Sequence, residues 1–122
     1  MCERKDLQFI QDILESTDAA LSFVDGYDFA RFAEDRKTKS AVIRELEIIG
    51  EASSRISSEK KHKYPDIPWR LLKDFRNVLS HEYFGINEAI VWDILQTKLP
   101  GLKEQVTDII SSEASQAGAV VQ

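Results

Sequence analysis

Four polar residues within residues 68–85 carry the side chains best suited to chemistry, namely Arg76, Asn77, His81 and Tyr83. A guanidinium group can hold two phosphate oxygens at once, and an imidazole with an ordinary pKa near 6.5 can transfer protons at about neutral pH. On a helix of about 100° per residue, Arg76 and Tyr83 fall within roughly 20° of each other, and Asn77 can bond His81 four residues on. The long arginine side chain could join the two pairs into one site at a helix end.

Residues 68–85 have the pattern of an amphipathic helix that would position these side chains. Pro68 suits the first turn, because its missing N–H would find no partner there. Apolar residues follow at spacings of three and four: Trp69, Leu72, Phe75 and Leu79. Gly85 can end the helix in a left-handed conformation. Folding requires only the apolar stripe, so the four polar residues need another explanation.

Two earlier stretches also carry apolar residues at helical spacing. The first spans about residues 3–24 and ends at Gly26, a natural C-terminal cap. The second spans about residues 35–58, with Val42, Leu46, Ile49, Ser53 and Ile56 on one stripe. Asp28 can cap a short helical piece between the two. Gly50 costs the second helix about 1 kcal/mol relative to alanine, so close backbone packing is the expected reason for it.

The last part of the chain predicts a further helix. Asn87 can cap its start, Pro100 predicts a break or kink, and the helix then continues to about Ser112. The whole pattern predicts an all-α fold, an antiparallel bundle of four to five helices. One domain is expected over residues 1–112, with a flexible C-terminal tail over residues 113–122.

Charge is distributed unevenly along the chain. The net charge of −5 disfavours a broad nucleic-acid-binding surface. From Arg55 to Arg76, however, the local balance is +4, against −9 for the remainder. Three of its seven basic residues, Lys60, Lys61 and Lys63, lie in residues 59–67. These residues are predicted to be a loop because Tyr64 and Ile67 each precede a proline. Such a basic stretch fits either a local phosphate site or a solvated loop.

Several classes of protein and site are disfavoured by the composition. Cys2 is the only cysteine and cannot form an internal disulfide. A zinc motif beginning at His81 would need a second histidine at position 85, where glycine stands. No run approaches the roughly 18 apolar residues of a membrane span, and the start of the chain lacks a secretory apolar core. We therefore expect a cytoplasmic protein with no membrane contact, no metal and no cofactor.

A set of short motifs follows in order along residues 5–110. They are Ile49-Gly50-Glu51-Ala52, Ile67-Pro68-Trp69, Arg76-Asn77-x3-His81-x-Tyr83, Val91-Trp92 and Leu99-Pro100-x-Leu102. An Arg-x4-His pair alone is weak evidence, since on the order of one chain in ten of this length has it by chance. With its ordered neighbours, it makes the chain similar to the HepT-like branch of the HEPN superfamily.

This resemblance implies a homodimeric HEPN-like bundle that acts as a metal-independent endoribonuclease, the toxin of a toxin–antitoxin pair. It implies Arg76 and His81 as catalytic residues that cut RNA through its own 2′-hydroxyl, with Asn77 in support. The implied antitoxin is a minimal nucleotidyltransferase of the MntA type, which would transfer AMP units onto Tyr83. A homodimer, or a higher oligomer with the antitoxin, is the implied assembly.

Other interpretations of the same residues stay open. The chain could be a non-catalytic module that binds a nucleotidyltransferase as its AMP acceptor or dimerisation platform, or a plain structural dimer. The acidic balance favours the module, and the intact motif favours the enzyme. His81 could merely satisfy a helix end, and Arg76 could pair with Asp74 or with a glutamate of another helix.

The remaining aromatic and acidic candidates are predicted to belong to the scaffold. Core or dimer contacts are expected for Trp69, Phe75, Leu79 and Trp92. A solvated or interface face is expected for Glu45, Glu47 and Glu51, since no Glu-x-x-His accompanies them as in metal-binding bundles.

Overall fold

The computed structural model describes the backbone of residues 2–80 and 87–121, and the side chains of residues 5–76 and 87–115. Every described element is helical, which confirms the all-α prediction. The elements are α1 (Cys2–Phe23), α2 (Phe29–Glu34), α3 (Arg36–Arg55), α4 (Ser58–Lys63), α5 (Trp69–Ser80), α6 (Glu88–Asp93), a π-helical turn (Ile94–Lys98) and α7 (Leu99–Val121). None of these helices is both long and apolar enough to cross a membrane.

Helix α3 is central to the bundle and packs most extensively against α1 and α5. Its predicted stripe is buried in full: Val42, Leu46, Ile49, Ser53 and Ile56. Each large apolar side chain buried there stabilises the fold by about 1.5–3 kcal/mol. Near the start of α1, the carboxylate of Asp6 accepts hydrogen bonds from the backbone N–H and the hydroxyl of Ser57, just past the end of α3. Helices α1 and α3 therefore run antiparallel, as predicted.

Side-chain caps fix several helix starts. Asp28 caps α2 and Asn87 caps α6, as predicted. Asp35 caps α3 by accepting from the backbone N–H of Thr38 at 3.0 Å. That bond, together with bonds from the hydroxyls of Thr38 and Tyr27, lowers the pKa of Asp35 to about 2. The turn between α2 and α3 is thus held by a charged cap.

Helix α5 starts where the sequence predicts. Pro68 lies directly before Trp69, the first helical residue, and its carbonyl accepts from the N–H of Leu72 at 3.1 Å. The predicted helix end at Gly85 lies outside the described residues.

Part of the predicted loop at residues 59–67 is helical, so that prediction is wrong for residues 59–63. Helix α4 forms there because Ser57 caps it, its hydroxyl oxygen accepting from the N–H of Lys60 at 3.2 Å. Lysine is also a good helix former. The helix ends before Tyr64, which precedes a proline and so disfavours helical geometry.

Of the two alternatives predicted at Pro100, the break is wrong, because α7 runs on through this residue. The π-helical turn comes just before it, and there the N–H of Leu99 bonds the carbonyl of Ile94, five residues back. This wider turn makes room for the proline ring, and proline is tolerated where an N–H would lack a partner. The chain therefore continues from α6 into α7 through a local change of helix type.

Helix α7 extends to Val121, so the predicted helix end near Ser112 is wrong. Glu113, in the first turn of the extension, lies 2.9 Å from the Nζ of Lys60 and 3.0 Å from that of Lys63. These contacts attach α7 to α4. The division into a domain and a flexible tail at residue 112 stays a prediction.

Candidate functional site

The four predicted site residues are described to different degrees. Arg76 lies in α5 with its side chain described and exposed. Asn77 belongs to the same helix, but its side chain lies outside the described residues, as do His81 and Tyr83. The convergence of Arg76 with the other three therefore stays a prediction.

Arg76 stands where α5 crosses α3 at Gly50. A Cβ atom placed on Gly50 would lie 2.8 Å from both the Cβ and the backbone N of Arg76, and 3.1 Å from the carbonyl oxygen of Leu72. No side chain fits at that separation, so glycine lets the two helix backbones touch. This confirms the packing role predicted for Gly50, and it fixes the base of the Arg76 side chain against α3.

The next residue on α3, Glu51, binds Arg76. Its Oε2 lies 3.2 Å from the Nη1 of Arg76. Its Oε1 accepts from the Nε of Arg55 at 3.0 Å and lies 2.9 Å from the Nη2 of the same residue. One carboxylate thus bridges two guanidinium groups, and we name these three residues the Glu51 cluster. The observed partner of Arg76 is a glutamate of another helix, one of the two pairings that the sequence left open.

The Glu51 cluster is open to solvent. The side chains of Glu51, Arg55 and Arg76 are 41%, 60% and 53% exposed. Ion pairs at such positions are screened by water and stabilise a fold by only about 0–1 kcal/mol. The cations are therefore free to exchange Glu51 for another anion at little cost.

Arg76 opens onto a groove of about 340 Å³ between α1, α3 and α5, which we name the arginine groove. Its charged lining consists of Arg44, Arg55, Arg76, Asp12, Glu47 and Glu51, and its apolar lining of Phe9, Ile48 and Ala52. The three cations offer planar forks of donors that match carboxylate or phosphate oxygens. Among the described residues, no group of three or more His, Cys, Asp or Glu side chains is arranged to hold a metal ion.

Four of the seven cations between Arg55 and Arg76 are divided between two sites. Arg55 and Arg76 share Glu51 at the groove, whereas Lys60 and Lys63 bind Glu113 of α7. Lys60 is buried, so the interpretation of this lysine as part of a solvated loop is wrong. The cations of this stretch at the groove are arginines, whereas Lys60 and Lys63 serve the contact between α4 and α7.

Glu113, Lys60, Lys63 and Tyr64 form the second cluster, which we name the Glu113 cluster. Burial opposes the ionisation of Glu113, but hydrogen bonds from the Tyr64 hydroxyl and the two lysines outweigh it and bring its pKa to about 2. Burial, together with the bond to Glu113, raises the pKa of Tyr64. The hydrogen bond to Glu113 raises the pKa of Lys63. The shifts favour a charged Glu113, a charged Lys63 and a neutral Tyr64 that donates its hydroxyl proton to the carboxylate.

The described aromatic candidates take scaffold positions, as predicted. Phe75 is buried in the core. Trp92 packs on the ring of Phe32 at a centroid distance of 5.3 Å. The indole N–H of Trp69 donates to the backbone carbonyls of Tyr64 and Lys61, at 3.0 Å and 3.2 Å. These rings join helices rather than presenting open stacking surfaces.

Sequence reasoning missed two members of the Glu51 cluster. The sequence predicts a solvated or interface face for Glu51 and places Arg55 only within a basic stretch. Their spacing of four residues on α3 was the available signal, since residues so spaced face each other on a helix. The pairing of Glu51 with Arg76 had no such signal, because it depends on the crossing at Gly50.

Comparison with known proteins adds to this geometry. A family model described as "Ribonuclease HepT-like" matches residues 13–109. The chain is 41% identical over 108 residues to "Putative RNase MJ0127" of Methanocaldococcus jannaschii, covering 88% of this chain and 89% of that protein. It is 39% identical over 106 residues to "Putative RNase MJ1380" of the same organism, covering 87% and 97%. It is also 39% identical over 101 residues to "Probable ribonuclease HepT" of Thermococcus cleftensis, covering 83% and 92%.

No solved structure matches the chain. The matched region includes both arginines of the Glu51 cluster, Gly50, and the Arg-x4-His-x-Tyr motif. The extent of the family match and the near-complete coverage of these relatives lead to one conclusion: the chain belongs to the HepT-like ribonuclease family.

Proposed function

We propose that this chain is a metal-independent endoribonuclease and the toxin of a toxin–antitoxin pair. Family membership supports the activity, as do the names of the relatives, which describe them as ribonucleases. The observation that carries the proposal is the placement of Arg76. Its guanidinium is half-exposed, fixed at its base by the crossing at Gly50, and directed to a groove that offers two further arginines.

The chemistry needs little beyond a proton carrier and a positive charge, because RNA supplies its own nucleophile. In the proposed reaction, the 2′-hydroxyl attacks the adjacent phosphorus, and the bond from phosphorus to the 5′-oxygen breaks. His81 transfers protons, and Arg76 stabilises the negative charge that develops on the phosphate oxygens. Asn77 fixes the tautomer of His81 by a hydrogen bond. In a two-fold homodimer, two copies of each residue could share one cleft, so that one imidazole accepts a proton while the other donates one.

Regulation is proposed to act on Tyr83. A minimal nucleotidyltransferase of the MntA type would transfer AMP units from ATP to its phenol oxygen, releasing pyrophosphate. The adduct is bulky and anionic, so it would fill the site and repel the phosphates of RNA. Intact-mass measurement after incubation with ATP and the partner should show added AMP, and Tyr83→Phe should show none. An unchanged mass of the native chain would exclude this regulation.

The activity is tested by RNA cleavage with purified variants. His81→Ala and Arg76→Ala should each reduce the cleavage rate by about 10²–10⁴-fold, the range for loss of a proton carrier or a charge stabiliser. Lys103→Ala is the matched control, because Lys103 is an exposed cation paired with Asp18 at 2.9 Å on another part of the bundle. Cleavage that is equal in the native chain, His81→Ala and Lys103→Ala would refute the proposal.

A second candidate is a non-catalytic module that binds the nucleotidyltransferase and accepts AMP. The equal numbers of acidic and basic side chains lining the arginine groove favour it, since they weaken the attraction for RNA. Growth of cells that express the chain separates the two functions. If the chain is an enzyme, the native chain should arrest growth and the His81→Ala variant should not. If it is a binding module, its effect on growth should be the same with and without His81→Ala.

A further inference from the structure

We propose that Arg55 and Arg76 together bind one phosphate of the RNA backbone, and that Glu51 occupies this phosphate site until RNA displaces it. The inference rests on the proposed ribonuclease function and adds to it a substrate-binding residue, Arg55. It also gives Glu51 a definite role, as an internal anion that competes with the substrate.

The geometry of the Glu51 cluster supports a shared anion site. The two carboxylate oxygens of Glu51 are divided between the arginines, with Oε1 2.9 Å from the Nη2 of Arg55 and Oε2 3.2 Å from the Nη1 of Arg76. A phosphodiester likewise presents two charged, non-bridging oxygens, and guanidinium forks bind such pairs of oxygens readily. The carboxylate of Glu51 therefore marks a position in which two donors already converge on one anion.

Exposure makes the exchange feasible. Both arginines are more than half exposed, and both line the arginine groove of about 340 Å³. Because water screens the existing pairs, their loss costs little, and a phosphate that binds both cations can replace them. Lys60 presents the opposite case, since it is buried against Glu113 and cannot turn to a ligand without leaving its partner.

The backbone holds the two cations together. Arg76 is fixed by the contact of α5 with Gly50, and Arg55 ends α3 one helical turn after Glu51. The two guanidinium groups therefore come from different helices and meet because of the helix crossing. Removing the Glu51 charge would leave both cations at the groove. The competition between Glu51 and an RNA phosphate for these cations can therefore be measured with a Glu51 variant.

The test is the binding of a fluorescent single-stranded RNA whose 2′-hydroxyls are methylated, so that it cannot be cleaved. Fluorescence anisotropy would give the affinity at several salt concentrations for the native chain and for Arg55→Gln and Glu51→Gln. The matched controls are Lys103→Gln and Asp18→Asn, which remove the same charges from an exposed ion pair on α7 and α1. Thermal unfolding would verify that all variants are folded.

We expect Arg55→Gln to weaken binding by about tenfold and to reduce the slope of log affinity against log salt by about 0.7, the value for one phosphate contact on a single strand. Glu51→Gln should instead strengthen binding severalfold, and more than Asp18→Asn does. Lys103→Gln should leave the slope unchanged.

Equal affinities and slopes for Arg55→Gln and Lys103→Gln would overturn the inference, as would weaker binding by Glu51→Gln. If the native chain still cleaves RNA in that case, the proposed function stands and only the role of Arg55 is lost. A native chain that cleaves RNA without salt-dependent binding of the probe also overturns the inference. A native chain that neither binds the probe nor cleaves RNA refutes both proposals.

Discussion

Two glutamates of this protein each bind two cations, yet their surroundings differ. Glu51 joins α3 to α5 with its side chain 41% exposed, whereas Glu113 joins α7 to α4 with 14% exposed and with a lysine partner that is 6% exposed. Similar ion pairs therefore have different roles in the two clusters. In the Glu113 cluster, water is largely excluded and each ion depends on its partner for stability. In the Glu51 cluster, water has access and the cations remain available to a ligand.

The largest expected effect concerns the buried side of this comparison. Glu113→Gln would leave Lys60 buried without its counter-ion, which should lower the free energy of unfolding by about 2–3 kcal/mol. Urea unfolding at neutral pH measures it, with Asp18→Asn as the control for an exposed pair. If Glu113→Gln and Asp18→Asn lower the free energy of unfolding by the same small amount, the Glu113 pair behaves as an exposed pair and the proposed difference from Glu51 is wrong.

The pH dependence of stability sharpens the same contrast. The pKa of Glu113 is lowered from an ordinary value of 4.5 to about 2, so the folded state binds its proton less readily than the unfolded state. The stabilisation is therefore present above about pH 4.5 and is lost as the pH falls toward 2. The difference in unfolding free energy between the native chain and Glu113→Gln should shrink by about 2 kcal/mol across that range. A difference that stays constant from neutral pH to pH 2 would contradict this assignment.

In the Glu51 cluster, the position of Arg76 is expected to depend more on the backbone contact at Gly50 than on the ion pairs. Gly50→Ala would place a methyl group 2.8 Å from Arg76, so the helices must separate, at a cost of about 1–2 kcal/mol in unfolding free energy. RNA cleavage should fall as well, because Arg76 would shift. Gly101→Ala is the control, since nothing lies within 4 Å of a Cβ there, and it should stabilise α7 by about 0.5 kcal/mol. Equal effects of the two substitutions would exclude the proposed role of the crossing.

The smallest expected effect is that of Glu51→Gln on stability. Its ion pairs are exposed, so the unfolding free energy should change by no more than about 0.5 kcal/mol. The measurement is the same urea titration used for Glu113→Gln. A loss comparable to that of Glu113→Gln would show that Glu51 is a structural residue, and the comparison between the two glutamates would fail.

Local patterns predicted much of the fold. The buried stripe of α3, the cap at Asn87 and the packing at Gly50 follow from residue spacing and type, and the structure confirms them. The two prolines after residue 63 predict a loop for the α4 segment, but Ser57 provides a cap that allows the helix to form. Residue spacing does not predict the π-helical turn before Pro100. A proline in a helix predicts a break, but a wider helical turn just before it can accommodate the ring.

The candidate site was predictable only in part. Arg76 stood out within its motif, and a spacing of four linked Glu51 to Arg55 along one helix. The contact between Glu51 and Arg76 joins residues of two helices, so it follows from tertiary packing and not from any local repeat. The roles proposed for His81 and Tyr83 follow from the family resemblance, and the cleavage and mass measurements test them.

The crossing at Gly50 also limits how this site could be transferred. Packed helices usually stand 8–10 Å apart, and side chains at the contact set that distance. A designer who copied only the charged residues onto another helical scaffold would lose the backbone contact that holds the base of the Arg76 side chain against α3. The transferable unit is therefore a glycine that permits contact between two backbones, with the charged groups added to it.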